Sequence, residues 1–257
     1  MPLLDFLKLP ETKSIKNLDA PATTLLHRRI IQSKPFLKRL YLDFYKTYEI
    51  CVPKIRHQYC VELGSGGGFS KEIYPNLITS DILDLPHLDK RFSALQMPFD
   101  DASVDAFLMI DVFHHVPDSR QFLSEMQRCL KPGGKIVMIE PANTGFGRLI
   151  YKNFHHEPFV PAGTWRLEGE GPLSSANGAL PWIVFVRDRE KFQSEFPSLK
   201  LLQITPHTPF RYLLSGGVSM RQLVPSFSYP LIKGLEQALA FMNSTLGLFY
   251  TIQLEKR

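Results

Sequence analysis

Short apolar runs and segments of helical periodicity alternate along the middle of the chain. Five runs have the length and composition of buried strands, namely residues 60–63, 77–82, 104–111, 135–140 and 199–204. A shorter strand with a turn is predicted within 92–101, and residues 249–254 alternate as a last strand. This alternation predicts an α/β fold built on a doubly wound parallel sheet, with a ligand site at the carboxyl ends of the strands.

Helical periodicity is clearest in two places. From residue 23 to residue 48, one face carries the apolar positions Leu37, Leu40, Tyr41, Phe44 and Tyr48. We expect this face to pack on the domain; the alternative is that its aromatic side lines part of a substrate pocket. A second helix is predicted after Asp118, a capping residue that is followed three positions later by Gln121.

Two long segments interrupt the alternation. Residues 143–187 and 205–230 are rich in glycine, proline, aromatic residues and histidine, and they show little periodicity. Because they follow strand ends, we expect two lid-like insertions; an irregular surface excursion is the alternative for the first. Residues 231–242 have an amphipathic pattern that we expect to pack in the fold, and docking to a membrane surface is the alternative.

A glycine-rich turn follows the first strand. Gly64, Gly66 and Gly68 recur at every second position after Glu62, before residues that are expected to start a helix. Such a unit brings bare backbone N–H groups and a helix N-terminus close to a ligand. Asp81 ends the next strand, where an acid binds the ribose hydroxyls in nucleotide-binding α/β units. The glycines and the acid together predict a ligand that contains a nucleoside, whereas the glycines alone would suit an ordinary loop.

The composition is that of a globular protein with a sizeable core. The chain has 257 residues, of which 44% are hydrophobic and 21% charged. Its formal charge of +5 comes from scattered basic residues, which favours an anionic ligand or membrane surface and does not establish nucleic-acid binding. Three cysteines without metal-type spacing, and an N-terminus without a signal-peptide pattern, predict a reduced, cytoplasmic protein.

Five motifs occur in order along residues 58–142. They are Glu62-x-Gly64-x-Gly66-x-Gly68, Asp81, Met97-Pro98-Phe99-Asp100, Asp111-Val112-Phe113-His114-His115, and Lys131-Pro132-Gly133-Gly134 before a strand that ends Glu140-Pro141. This series resembles the class I S-adenosylmethionine-dependent methyltransferases, in particular the branch that modifies small molecules, quinones and lipids (methyltransferase type 11). The resemblance implies a Rossmann-like, mostly parallel seven-stranded sheet with a reversed last strand. It also implies a methyltransferase domain over 58–257, with an N-terminal helical segment, 1–57, packed on its core.

The resemblance implies that S-adenosylmethionine is the cofactor, and it indicates which residues hold it. The methionine part would lie over residues 64–66, with Glu62 binding its amino group, and Asp81 would take the ribose hydroxyls. Ser93 stands where this branch usually has an acid that holds the adenine amine. The implied cofactor residues are Glu62, Gly64, Ser65, Gly66, Gly68, Asp81, Ile82, Ala94, Leu95, Asp111 and Val112.

Methyl transfer to a hydroxyl or to a carbon acid usually needs a general base. His115 is placed nearest the reacting methyl by the resemblance, and His155 and His156 lie in the first insertion; these three are the predicted catalytic residues. His114 and His207 are further candidates for the general base. Adjacent histidines also suggest metal binding, but no third ligand has recognisable spacing, so no metal site is predicted.

The predicted activity is methyl transfer from S-adenosylmethionine to a small-molecule or lipid-like acceptor. The alternatives are a methyltransferase that acts on protein or nucleic acid, a non-catalytic cofactor-binding protein, and an NAD enzyme. Nucleic acid is not expected as a partner, because residues 111–114 do not form an Asn/Asp-Pro-Pro-aromatic tetrad. The sequence determines neither the acceptor atom nor the oligomeric state.

Overall fold

The computed structural model describes residues 7–13, 15–155, 157–169 and 171–257. Seven strands of this part of the chain form one sheet in the order β3-β2-β1-β4-β5-β7-β6. Strands β1 to β5 run parallel, and β7 is antiparallel to both β5 and β6. The strands are β1 Cys60–Glu62, β2 Ile78–Asp81, β3 Lys90–Arg91, β4 Val104–Ile110, β5 Leu130–Pro141, β6 Leu199–His207 and β7 Phe249–Lys256. The predicted doubly wound sheet with a reversed last strand is confirmed.

The helices of the described residues cover both faces of this sheet. They are α1 Pro21–Ser33, α2 Pro35–Cys51, α3 Ser119–Cys129, α4 Gly145–Phe154, α5 Leu180–Trp182, α6 Arg189–Glu195, α7 Arg211–Ser215, α8 Tyr229–Ala238 and α9 Asn243–Leu246. A π-helical segment, Ile183–Arg187, joins α5 to α6. Several 3-10 turns connect these elements, at Pro10–Thr12, Ile55–His57, Ser70–Glu72, Phe113–His115, Ser226–Ser228 and Ala240–Met242.

The central strands owe their position to their apolar sequence. Phe107 and Leu108 of β4 pair with Ile136 and Val137 of β5, and all four side chains are fully buried. A strand that is apolar on both faces must be covered on both, which places it in the middle of a layered α/β fold. Helix α3 begins where its cap predicts, since the Asp118 side chain accepts hydrogen bonds from the backbone N–H groups of the first turn.

The expected helix directly after the glycine-rich turn is absent from the described residues. The chain forms only the short turn Ser70–Glu72 before β2 begins at Ile78. Pro75 accounts for this, because a proline disfavours helical backbone in the residue before it and donates no hydrogen bond. The N-terminal helices contact the turn instead. Tyr45 of α2 accepts a hydrogen bond from the Phe69 N–H (2.9 Å), and Arg28 of α1 donates to the Gly68 carbonyl.

Two strand boundaries differ from those expected. The strand predicted within residues 92–101 lies earlier, at Lys90–Arg91, where it pairs with Ser80 and Asp81 at the end of β2. Strand β5 begins at Leu130 rather than at residue 135, because Leu130 already pairs with Val104 of β4 before the register shifts. Neither difference moves the carboxyl ends of the central strands.

The amphipathic segment 231–242 packs through its polar side, which is opposite to the expectation. Glu236 of α8 is buried and accepts hydrogen bonds from the backbone and guanidinium of Arg211, which also reaches Asp43 of α2. Several apolar residues face solvent, since Leu231 and Phe241 are 76% and 81% exposed, whereas Ile232 packs against the core. A buried arginine with two carboxylates is strongly destabilised if one partner leaves, so this network sets the rotation of the helix. In the described chain, no helix is both long and apolar enough to cross a membrane.

Candidate active site

The carboxyl ends of β1, β2 and β4 open into a cavity of about 320 Å³. All of the described residues with a predicted site role line it, namely Glu62, Gly64, Ser65, Gly66, Gly68, Asp81, Ile82, Ala94, Leu95, Asp111, Val112, His115 and His155. His156 lies outside the described residues. A pocket of this size at the strand ends is where an open α/β sheet binds its ligand.

The glycine-rich turn is held in a shape that only glycine adopts easily. Gly64 and Gly66 have φ angles of +58° and +45°. A Cβ atom on Gly64 would lie 2.5 Å from the Val112 side chain, so the turn presses directly against the end of β4. Gly68 is equally close to its surroundings, because a Cβ there would lie 2.8 Å from the Tyr45 hydroxyl. Glycine at these positions therefore lets the turn pack closely against β4 and α2 where it lines the cavity.

Asp81 faces this turn from the end of β2. Its carboxylate accepts hydrogen bonds from the backbone N–H groups of Gly66 (3.1 Å) and Leu83 (2.9 Å). Burial raises the pKa of Asp81, and these backbone donors act against that rise. His87, which the motifs did not indicate, holds the other side of the turn, since its Nε2 lies 2.8 Å from the Gly66 carbonyl oxygen. The carboxylate and the glycine turn thus form one polar rim.

Glu62 lies at the base of the turn and is buried. Its carboxylate accepts hydrogen bonds from the Ser70 hydroxyl and from the Tyr48 hydroxyl (3.2 Å), and burial raises its pKa. Its carbonyl oxygen accepts a hydrogen bond from the Ser80 hydroxyl (2.8 Å). Helix α2 therefore positions the carboxylate through Tyr48, a residue of the apolar face that the sequence had indicated only as packing.

Helix α2 takes both of the roles considered for it. Phe36, Leu40 and Tyr48 are fully buried in the core, whereas Tyr41 and Tyr45 line the cavity. The Tyr45 ring packs edge-to-face on Phe69 at 5.1 Å, which keeps its hydroxyl at the Phe69 N–H. The same face of α2 therefore packs in the core and places two aromatic side chains in the cavity wall.

Asp111 and Val112 form the cavity wall at the end of β4. Asp111 has a φ of +56°, an uncommon conformation for a residue with a side chain. Its N–H donates to the Ile139 carbonyl (2.9 Å), which fixes this backbone to β5. Burial raises the pKa of Asp111 to about 8, to which the nearby carboxylates of Glu140 and Glu157 contribute. Strained backbone of this kind is frequent at functional sites.

Glu140 fixes the loop that follows Asp111. It is fully buried, and its carboxylate accepts hydrogen bonds from the backbone N–H groups of Val112 (2.9 Å) and Phe113 (2.7 Å). It also accepts from Nδ1 of His114 at 2.7 Å. The motif ending Glu140-Pro141 had marked this residue only as a strand end, so its structural role became evident from the tertiary contacts.

A cluster of histidines and one carboxylate lines the wall beside this loop. Nε2 of His114 and Nε2 of His115 lie 3.3 and 3.6 Å from the two carboxylate oxygens of Glu157. Burial and the neighbouring His114 together lower the pKa of His115 to about 4. His155, predicted as a base, has its Nδ1 3.6 Å from the same carboxylate. Sequence reasoning missed Glu157, although it directly follows the histidine pair at 155–156.

The first insertion closes over the cavity and is tied down by the N-terminal segment. Asp19 accepts hydrogen bonds from the backbone N–H groups of Leu173 (2.7 Å) and Ser174 (2.9 Å) and from the Ser174 hydroxyl (2.6 Å). Leu173 lines the cavity. Other parts of the same insertion are core, since the residues from Ile183 to Phe185 are fully buried. The insertion therefore combines a cover with structural packing.

Comparisons with known proteins agree with this geometry. Residues 61–138 match a family described as "Methyltransferase domain". Over 66 residues the chain is 41% identical to a demethylmenaquinone methyltransferase of Deinococcus radiodurans, covering 24% of this chain and 27% of that protein. It is 28% identical over 128 residues to a sterol 4-C-methyltransferase of Caenorhabditis elegans, covering 48% and 37%. The matched part of the chain thus spans well under half of the length of each of these two relatives.

The fold agrees with a solved structure as well. An S-adenosylmethionine-dependent methyltransferase from Thermotoga maritima superposes with a TM-score of 0.50 at 15% identity, covering 90% of this chain and 99% of that one. This likeness agrees with the predicted fold. Residues 61–138 are similar to a methyltransferase domain, as the motifs predicted.

Proposed function

We propose that this chain, whose residues 61–138 match a methyltransferase domain, transfers the methyl group of S-adenosylmethionine to a small-molecule or lipid-like acceptor. One observation carries the proposal. The bare glycine turn, the Asp81 carboxylate bonded to it and the strained end of β4 at Asp111 all face the same cavity. These are the parts that a sulfonium nucleoside needs: backbone donors, an acceptor for two hydroxyls, and a wall that excludes water.

The residues present fit this cofactor. We place its methionine part over Gly64-Ser65-Gly66, where a Cβ atom on Gly64 would collide with Val112. Glu62 would receive the amino group, since it lines the cavity and its buried carboxylate is held in place by hydrogen bonds from Tyr48 and Ser70. Asp81 would accept from the ribose hydroxyls. Ile82, Ala94 and Leu95 would contact the adenine.

The bound cofactor supplies an electrophilic methyl carbon on a positively charged sulfur, and the chain supplies alignment and exclusion of water. In-line displacement depends strongly on such alignment. The rigid backbone at Asp111, fixed by Ile139, holds the wall beside the reacting end. His115 has its Nδ1 at the Ser175 carbonyl (3.0 Å), and this contact fixes the orientation of its ring in the cavity wall.

The cavity wall away from the glycine turn favours an apolar acceptor. It is formed by Leu37, Tyr41, Tyr151, Tyr212, Val218 and Phe249. These residues come from α2, from both insertions and from β7, so the acceptor region is assembled from the parts outside the matched segment. An aromatic and aliphatic wall suits a small hydrophobic molecule better than a nucleic acid, whose recognition relies on cationic contacts. Peripheral membrane contact stays a prediction.

A methyl-transfer assay tests the proposal. The protein is incubated with S-adenosylmethionine labelled in its methyl group and with separate lipid, quinone and polar-metabolite fractions, and label in each fraction is measured. We expect label in an organic-soluble product. G64V serves as the inactive control, because its side chain would meet Val112 in a positive-φ backbone. Cofactor binding without transfer to any fraction would contradict the proposed activity and favour a non-catalytic cofactor-binding protein.

The tie between Asp19 and the first insertion gives a second prediction. In D19A the N–H groups of Leu173 and Ser174 lose their acceptor, so we expect their hydrogen exchange to accelerate about 10-fold, in line with a net loss of ~1–1.5 kcal/mol. Exchange mass spectrometry on a peptide that covers 171–175 measures this. K16A, an exposed neighbour, is the control. Equal exchange in D19A and K16A would show that Asp19 does not hold the cover.

A further inference from the structure

The wall beside the β4 loop contains three groups that converge on one point. These are Nε2 of His114, Nε2 of His115 and the carboxylate of Glu157, and these ligand atoms lie within 4.8 Å of one another. All three residues line the cavity. The sequence had suggested no metal because the His114-His115 pair showed no third ligand, and the tertiary fold supplies that ligand from the first insertion.

In each imidazole ring, the contact made by Nδ1 decides whether Nε2 carries a proton or a lone pair. Nδ1 of His115 lies 3.0 Å from the Ser175 carbonyl oxygen, which can only accept, so Nδ1 carries the proton. Nδ1 of His114 lies 2.7 Å from Glu140, a carboxylate that also accepts from backbone N–H groups. In the neutral form of each ring, Nε2 therefore points a lone pair at Glu157.

A proton competes with a metal ion for this site, because burial disfavours a charged His114 but its hydrogen bonds to Glu140 and Glu157 raise its pKa well above the ordinary value. A proton on Nε2 of His114 would satisfy its 3.3 Å contact with Glu157, but the lone pair of His115 would still face the same carboxylate at 3.6 Å. Protonating both rings would place two imidazolium ions with centroids 4.2 Å apart in a buried site. A divalent cation, in contrast, accepts electron pairs from all three groups at once.

The distances suit such an ion. Tetrahedral coordination with ligand bonds of about 2.05 Å separates neighbouring ligand atoms by roughly 3.3 Å. Glu157 contacts His114 at 3.3 Å through one carboxylate oxygen and His115 at 3.6 Å through the other, and both distances are close to that edge length. The bonds from Nδ1 to Glu140 and to the Ser175 carbonyl are the outer-shell contacts that orient metal-ligating imidazoles.

A second overlapping cluster is a weaker choice. Asp111, His114 and Glu140 also lie close together. The Glu140 carboxylate is already engaged by the backbone N–H groups of Val112 and Phe113 and by His114, so it has little capacity left for an ion. His155 is not assigned as a ligand either, because its Nδ1 faces the Glu157 backbone N–H at 3.4 Å.

We propose that His114, His115 and Glu157 form a binding site for a divalent first-row transition-metal ion such as Zn²⁺ or Fe²⁺. Two imidazole nitrogens and one carboxylate oxygen are a donor set that these ions favour over Mg²⁺ or Ca²⁺. Three protein ligands leave a coordination position open toward the cavity. An ion there would bind an oxygen of the acceptor and lower the pKa of its hydroxyl, a role that rests on the proposed methyl transfer.

Metal binding is tested without reference to activity. The full-length protein is treated with a chelator, dialysed, and titrated with Co²⁺, whose visible absorption reports coordination, and then with Zn²⁺ in competition. We expect one equivalent of Co²⁺ to bind and to be displaced by Zn²⁺. X-ray absorption of the Zn²⁺ form should show two imidazoles and oxygen ligands at roughly 2.0–2.2 Å.

Variants distinguish this site from surface binding. E157Q and H115A should each weaken Co²⁺ binding by at least the roughly 10- to 100-fold that loss of an outer-shell partner already causes. H57A, which changes an exposed histidine outside the cavity, should bind like the wild type. Binding of S-adenosylhomocysteine, measured on each variant, shows that the fold is intact. The metal site would be overturned if the folded wild type took up no Co²⁺, or if E157Q, H115A and H57A bound Co²⁺ equally. Neither result would decide the methyl-transfer proposal, which is tested by its own assay.

Discussion

E140A is expected to lower the free energy of unfolding by about 3–5 kcal/mol. The Glu140 carboxylate is fully buried and is the acceptor for the N–H groups of Val112 and Phe113 and for Nδ1 of His114. An alanine would leave these donors without an acceptor in a buried site. Each buried donor that lacks a hydrogen-bond partner lowers the stability by about 1–3 kcal/mol. Chemical denaturation followed by circular dichroism measures the change.

Two further variants make this first prediction specific. E140Q keeps the side-chain shape and one acceptor oxygen, so its loss should lie between those of the wild type and E140A. E190A removes an exposed carboxylate from α6 and should change the stability by less than about 0.5 kcal/mol. If E140A and E190A were equally stable, the loop 112–114 would have to be held by contacts other than Glu140.

D81A is expected to weaken the binding of S-adenosylmethionine by about 5- to 150-fold, equivalent to ~1–3 kcal/mol. Two effects act in the same direction. The variant removes the carboxylate that we assign to the ribose hydroxyls, and it releases the Gly66 N–H, which Asp81 holds at 3.1 Å. Isothermal titration calorimetry with S-adenosylmethionine and with S-adenosylhomocysteine measures both affinities, and both ligands should be affected because they share the ribose.

Asp84 provides the matched control. It lies three residues further along and is exposed. D84A should bind both ligands like the wild type. If D81A kept full affinity, the placement of the ribose at Asp81 would be wrong. If D84A lost affinity instead, Asp84 would be the acid that binds the ribose.

The N-terminal helices explain how the site is complete without a helix after the glycine turn. In this chain only the short turn Ser70–Glu72 follows the glycines within the described residues. Arg28 of α1 and Tyr45 of α2 bind the backbone at Gly68 and Phe69 instead. The backbone around Gly67 is also close to α1, because a Cβ there would lie 2.8 Å from the Arg28 nitrogen. The segment before residue 58 therefore supports the glycine turn and lines the cavity beside it.

The sequence by itself determined the sheet and a group of residues that line one cavity at its strand ends. Apolar strands such as Val104–Ile110 have to be buried, and the end of a parallel strand places the next residue at one common edge. Glu62 and Asp81 end their strands, and Gly64 and Asp111 lie within two residues of a strand end, so local pattern was enough to bring them to one cavity. Their positions follow from where each strand ends, which is a local feature of the sequence.

The tertiary structure alone decided what surrounds them. Glu157 meets His114 only because the first insertion folds back over the end of β4, and Asp19 meets Leu173 across most of the chain. The orientation of α8 likewise follows from the buried contact of Glu236 with Arg211 rather than from its apolar stripe. Contacts between residues far apart in sequence leave no periodic pattern, because they depend on how loops close and on which charges must be paired once water is excluded.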